Sequence, residues 1–119
     1  MVKRICKGND IQLNLGIKDR NGNILRISDL DEYTIRIFTT FNNMFCSGSW
    51  VKSTGLLTNI VVTDTADILL ISAEDLANLE EGLIYYQYHI KIADASYTDG
   101  HIDEVVEGET PFYLKDNRI

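Results

Sequence analysis

The stretch Leu79-Glu80-Glu81-Gly82-Leu83-Ile84-Tyr85-Tyr86-Gln87-Tyr88-His89-Ile90-Lys91-Ile92-Ala93 decides the fold. On an extended chain successive side chains point to opposite sides, so every second residue shares a face. From Ile84 onward this gathers Ile84, Tyr86, Tyr88, Ile90 and Ile92 on one face, with Leu83, Tyr85, Gln87, His89 and Lys91 on the other. The first set is apolar or aromatic throughout and the second is mixed. That pattern predicts a half-buried strand with the first set in the core and the Tyr86 and Tyr88 hydroxyls reaching its rim. Just upstream, Ser72-Ala73-Glu74-Asp75 has the S-x-x-D form of a helix cap, which predicts a short helical turn over 73–79.

The same period of two recurs on both sides of this stretch. Ile11, Leu13, Leu15 and Ile17 alternate with Gln12, Asn14, Gly16 and Lys18, predicting one strand over 11–18. Asn21-Gly22 then reverses the chain into 24–27, because this pair accepts the positive φ of a tight turn. Residues 28–32 read as a turn or helical start, and Tyr33, Ile35 and Ile37 alternate with Thr34, Arg36 and Phe38 in the next strand. Residues 44–46 and 49–52 read as strand pieces around a flexible Ser47-Gly48, followed by extended chain over 56–63 and 67–71. Asp99-Gly100 predicts a hairpin turn into a strand over 101–106, and 112–114 a short last strand with Pro111 at its start. Regular strands cut by turn signals predict an all-β antiparallel sandwich in one domain spanning 1–119.

A chain of 119 residues can bury about 65% of its unfolded surface in one core, and 45% apolar content with a single proline fits an ordered protein. The net charge of −7 argues against nucleic acid as a partner, since neutralising phosphates needs a surplus of Lys and Arg. The first residues, Met1-Val2-Lys3-Arg4-Ile5-Cys6-Lys7, show no apolar signal region, and no apolar run approaches a membrane span. Synthesis in a cytoplasm, with Cys6 and Cys46 reduced, is the expectation.

Tests for chemistry give little. Asp19-x-Asn21 opens like a calcium loop, but glycine falls at the fourth position and Leu30 stands where a bidentate glutamate is needed. His89 and His101 lie on separate predicted strands without a zinc-type ligand set. No nucleophile motif or phosphate-cradling glycine loop occurs, and the carboxylates of Glu80-Glu81 and Asp103-Glu104 face opposite ways on a strand. The expectation is a protein without catalytic residues, cofactor or metal. The aromatics carry more information. Phe38, Phe41, Phe45, Trp50 and Tyr85 are hard to bury together if alternation holds. Either some fill the inner face of the second sheet or lie under loops, or they form an exposed patch of the kind that marks a partner contact. With Phe112 and Tyr113 of the last strand they are the candidate partner interface.

Lys7-Gly8-Asn9-Asp10 leads into the first strand, Asp19-Arg20-Asn21-Gly22-Asn23 follows it, and Tyr33-Thr34-Ile35-Arg36-Ile37, Leu79, Gly82, Tyr86 and Tyr88 come later. In these residues the chain resembles the N-terminal immunoglobulin-like domain of phage upper-baseplate proteins and related head- or tail-fibre attachment modules. Residues 41–58 match nothing in that pattern. The resemblance implies an immunoglobulin-like β-sandwich serving as a virion structural protein, an adaptor or decoration subunit made in the host cytoplasm. Its partners would be copies of itself and other virion proteins, docked through sheet edges or loops. Segments 2–7 and 112–119 are the candidate docking strands. The alternative is a carbohydrate-binding sandwich of a bacterial surface protein, with Trp50 and nearby aromatics stacking on a glycan.

Overall fold

The computed structural model describes residues 2–19 and 21–116. Its strands are β1 (Lys3–Cys6), β2 (Ile11–Asn14), β3 (Ile17–Lys18), β4 (Ile24–Leu25), β5 (Glu32–Phe38) and β6 (Phe45–Val51). Then come β7 (Leu56–Thr58), β8 (Ile60–Val62), β9 (Asp67–Ile71), the helical turn α1 (Ala73–Leu76), β10 (Gly82–Ala93) and β11 (His101–Lys115). β10 lies at the middle of the larger sheet, antiparallel to β5 on one side and β11 on the other. The full order is β1-β11-β10-β5-β6-β7, facing a smaller sheet β2-β9-β8, with β3 and β4 as a separate hairpin.

This is an immunoglobulin-like β-sandwich with variable-type strand order. β11, β10, β5, β6 and β7 take the places of strands G, F, C, C′ and C″, and β2, β9 and β8 those of B, E and D. β1 adds to the outside of β11 in parallel. The alternation expected from sequence sets the inner layer. Tyr33, Ile35, Ile37, Ile84, Tyr88 and Ile90 from the large sheet pack with Ile11, Ile60, Leu69 and Ile71 from the small one. Burying each such side chain is worth roughly 1.5–3 kcal/mol, so this layer supplies most of the driving force. Ser72 caps α1 by accepting from the Asp75 N–H at 3.2 Å, and Leu76 and Leu79 close the core beneath it. No helix among the described residues is long and apolar enough to cross a membrane.

Four places depart from the sequence expectation, each for a backbone reason. The predicted strand 11–18 is two strands, because Leu15 bonds to Asp67 before the chain leaves for the β3–β4 hairpin. That hairpin turns at Asp19, whose carboxylate accepts from the N–H groups of Asn21 and Asn23 at 2.9 Å, with Gly22 at φ +81°. Ser47 and Gly48 are not flexible. They lie buried inside the continuous strand β6, where Ile35 pairs with Gly48 but Arg36 pairs with Cys46, so Ser47 is the extra residue of a bulge. A Cβ on Gly48 would stand 2.6 Å from Leu69 Cδ1, so glycine here lets the sheets close.

The extended run 56–63 breaks at Asn59, whose φ of +57° turns the chain from the large sheet into the small one. Its side-chain amide donates to Ser47 O at 3.0 Å, which fixes the corner. Finally, 101–106 and 112–114 are parts of one 15-residue strand, β11. Pro111 therefore sits mid-strand rather than at a strand start. It is tolerated because the register jumps there, Tyr85 facing Glu109 and Leu83 facing Tyr113. The Thr110 hydroxyl donates to Ile84 O at 2.7 Å, bridging the gap in the ladder.

An ion pair between the partly exposed Arg26 and a buried carboxylate ties the β4 end to the small sheet. Asp67 is 1% exposed, and its carboxylate accepts from Arg26 Nε and Nη2 at 3.1 and 2.9 Å and from the Ile27 N–H at 2.8 Å. The Arg26 pKa rises, chiefly through this hydrogen bond, against a smaller opposing effect of burial. Arg26 also donates to Thr63 O at 2.7 Å, so one guanidinium holds the β8–β9 turn against the start of the 3-10 turn Ile27–Asp29.

Candidate docking surface

The outer face of the large sheet is laid out by strand register. Reading across β5, β10 and β11, its cross-strand rows are Phe38–Tyr85–Glu109, Arg36–Gln87–Glu107, Thr34–His89–Val105 and Glu32–Lys91–Asp103. After β5 the chain turns through a 3-10 turn, Phe41–Asn43. The Asn43 side chain knits this turn, accepting from the Thr39 and Thr40 N–H groups at 3.1 Å and donating to Thr39 Oγ1 at 2.9 Å. The turn folds Phe41 back over Phe38, with ring centroids 5.0 Å apart, and Phe38 stacks in turn on Tyr85 at 5.7 Å. Phe38 is thereby 5% exposed, whereas Phe41, the outermost ring, is 72% exposed.

Beside this stack opens a cleft of about 440 Å³, walled on the β11 side by Glu107, Gly108 and Glu109. Glu107 accepts from the Gln87 amide at 2.7 Å. Gly108 matters for what lies beneath, because a Cβ there would be 2.5 Å from the Tyr86 hydroxyl. The cleft thus offers aromatic faces, the Thr39 and Thr40 side chains and two carboxylates, which is chemistry for binding.

The seven aromatics singled out from sequence divide three ways. Phe38, Phe41 and Tyr85 come together in the stack. Phe45, Trp50 and Phe112 are half-buried against the core, and the Trp50 indole donates to Leu30 O at 2.8 Å. Tyr113 lies apart, with the Arg4 guanidinium 5.7 Å from its ring centroid. The candidate docking strands are also placed. Lys3 to Cys6 pair in parallel with Phe112 to Lys115, so each segment is engaged by the other, and residues 117–119 lie outside the described residues. Glu107 and Glu109 were not singled out. The signal was present in the alternation Val105, Glu107, Glu109, but Gly108 and Pro111 disguise it by suggesting that the strand ends at Val106.

A second, smaller cavity of about 220 Å³ opens between the sheets near Leu13 and Gly16, lined by Tyr33, Tyr86 and Tyr88. Tyr88 stacks on Tyr86 with ring centroids 5.8 Å apart and meets Tyr33 at a tilt, 5.6 Å away. Tyr88 Oη accepts from the Lys18 N–H at 3.2 Å. Burial drives the Tyr33 phenol far above its ordinary pKa, with the neighbouring Tyr88 and Tyr86 adding to the shift. Tyr88 moves the same way, also by burial, against the opposing Lys18 hydrogen bond. Both phenols stay protonated at neutral pH and serve packing.

Elsewhere, His89 Nε2 lies 2.9 Å from Asp103, and Cys6 and Cys46 are free and exposed. Among the described residues no three His, Cys, Asp or Glu side chains gather as a metal set. No family model matches the chain, and no curated protein matches it.

Proposed function

We propose that this protein is a bacteriophage virion structural subunit, an immunoglobulin-like adaptor or decoration protein that docks onto copies of itself or other virion proteins. The observation that carries this is the Phe38–Phe41–Tyr85 stack on the outer face of the large sheet, capped by the exposed Phe41 ring. A ring as exposed as Phe41, held rigidly by a hydrogen-bonded turn and backed by two more, is the anatomy of a protein contact. The resemblance to phage attachment modules supplies the setting: assembly into a virion after synthesis in the host cytoplasm. The carbohydrate alternative relied on Trp50 as its platform, and that indole is spent on Leu30 O and packed against the core.

Two measurements test the proposal together. Mass spectrometry of density-purified particles of a phage whose genome encodes this chain should find the protein in fixed stoichiometry to the other virion components. Its absence from particles would remove the virion role. Light scattering after gel filtration should show a discrete oligomer, or a complex with a co-purified virion protein, that Phe41→Ser disrupts.

A further inference from the structure

We infer that the cleft beside Phe41 receives a basic side chain, an arginine or lysine presented by a segment of a partner protein. The inference rests on the docking role proposed above and names the chemistry of what docks.

Charge along the outer face supports it. At one end the carboxylates have partners within the molecule: Asp103 lies 2.9 Å from His89 Nε2 and Glu32 3.5 Å from Lys91 Nζ. At the other end Glu107 and Glu109 are exposed and make no ion pair among the described residues. Among the described residues no Lys, Arg or His lines the cleft between them and Phe41. Arg36 shares the row of Glu107, but Gln87 lies between them and its amide takes the carboxylate. The pair is spaced i, i+2 on one strand, so both side chains leave one face from Cα atoms about 7 Å apart.

Unpaired carboxylates beside stacked aromatic faces are complementary to a guanidinium or ammonium group, which gains a charge-assisted hydrogen bond and a cation–π contact at once. The same strand already makes such a contact within the molecule, where Arg4 lies over Tyr113. A second copy of the chain fits the cleft less well, because at −7 net charge each subunit meets the other with a like field. A basic loop or tail of a different virion protein is the occupant that balances it.

The test is an amide NMR titration of the isotope-labelled protein with the peptide acetyl-Gly-Arg-Leu-Arg-Gly-amide. The expected result is saturable shifts at residues 38–41, 85 and 107–109 that weaken as salt rises from about 50 to 300 mM. The same peptide with citrulline for arginine should bind at least about tenfold more weakly, and E107Q/E109Q should weaken the arginine peptide similarly. Equal binding of the citrulline peptide, or no saturable shift by about 5 mM peptide, would overturn the inference. Shifts at these same amides with a neutral tetrasaccharide, and none with the peptide, would instead assign the cleft to a glycan. If Phe41→Ser breaks an oligomer or complex while the arginine peptide stays silent, docking stands and the cationic occupant falls.

Discussion

The two faces of β10 are built from one strand, yet they obey opposite rules. On the inner face Ile84, Tyr88 and Ile90 are buried, and the polar atoms there have partners: Tyr88 Oη at Lys18 and Thr110 Oγ1 at Ile84 O. On the outer face Tyr85 belongs to a stack that ends in an exposed ring, beside carboxylates that make no ion pair among the described residues. The inner face is closed within the chain, and the outer face leaves at one end an exposed ring and two exposed carboxylates. Under the proposed docking role, stability and binding fall on opposite sides of the same backbone, and substitutions should separate them.

The largest effects are expected inside. Ile90→Ala should cost about 2–5 kcal/mol through the cavity left in a fully buried position, read as a lower denaturation midpoint. Asp67→Ala should cost about 1–3 kcal/mol, since it leaves the buried Ile27 N–H without its acceptor. Either loss is a large share of the stability of a small domain. Gly48→Ala should cost about 1–3 kcal/mol by pushing Leu69 away from the bulge, while Gly16→Ala, with open space around it, serves as its control.

Alkaline titration sharpens the contrast. The folded-state pKa values of Tyr33 and Tyr88 are raised, so above the ordinary phenol pKa of about 10 the unfolded chain releases protons that the folded chain keeps. Their contribution is fully present below about pH 10 and declines above it, by up to about 1.4 kcal/mol per pH unit for each retained proton. Tyr33→Phe should flatten that decline in denaturation midpoints measured from pH 8 to 11.5. The smallest stability change is expected outside, where Phe41→Ala should shift the midpoint by no more than about 0.5 kcal/mol. If Phe41→Ala destabilised the protein as much as Ile90→Ala, the division between the faces would be wrong.

Much of the inner face was legible from sequence, because alternation reports burial directly: Tyr33, Ile35, Ile37, Ile84, Tyr88 and Ile90 all follow it. Strand ends and bulges were not, because they depend on backbone geometry that residue type only hints at. Phe45 and Trp50 show the cost. Five positions apart, they would face opposite ways on a regular strand, but the extra Ser47 turns both inward, opposite Ile37 and Tyr33. For the same reason Pro111 looked like a boundary, although the Thr110 hydroxyl carries the strand past it. The candidate site was half visible. Phe38 and Tyr85 lie on outer faces that alternation assigns, whereas the return of Phe41 depends on the Asn43 hydrogen bonds and the two glutamates on a strand that seemed to have ended.

The parallel pairing of β1 with β11 has a mechanical consequence. Lys3 to Cys6 lie alongside Phe112 to Lys115, extended by the Lys7 N–H to Lys115 O bond at 2.9 Å and the Lys7–Asp116 ion pair at 3.0 Å. Tension drawn backwards from Lys3 and forwards from Lys115 runs along these strands in shear, so the bonds between them are strained together rather than peeled one after another. A tether arranged in this way resists a pulling load through the whole clasp, with rupture governed by the barrier to unfolding.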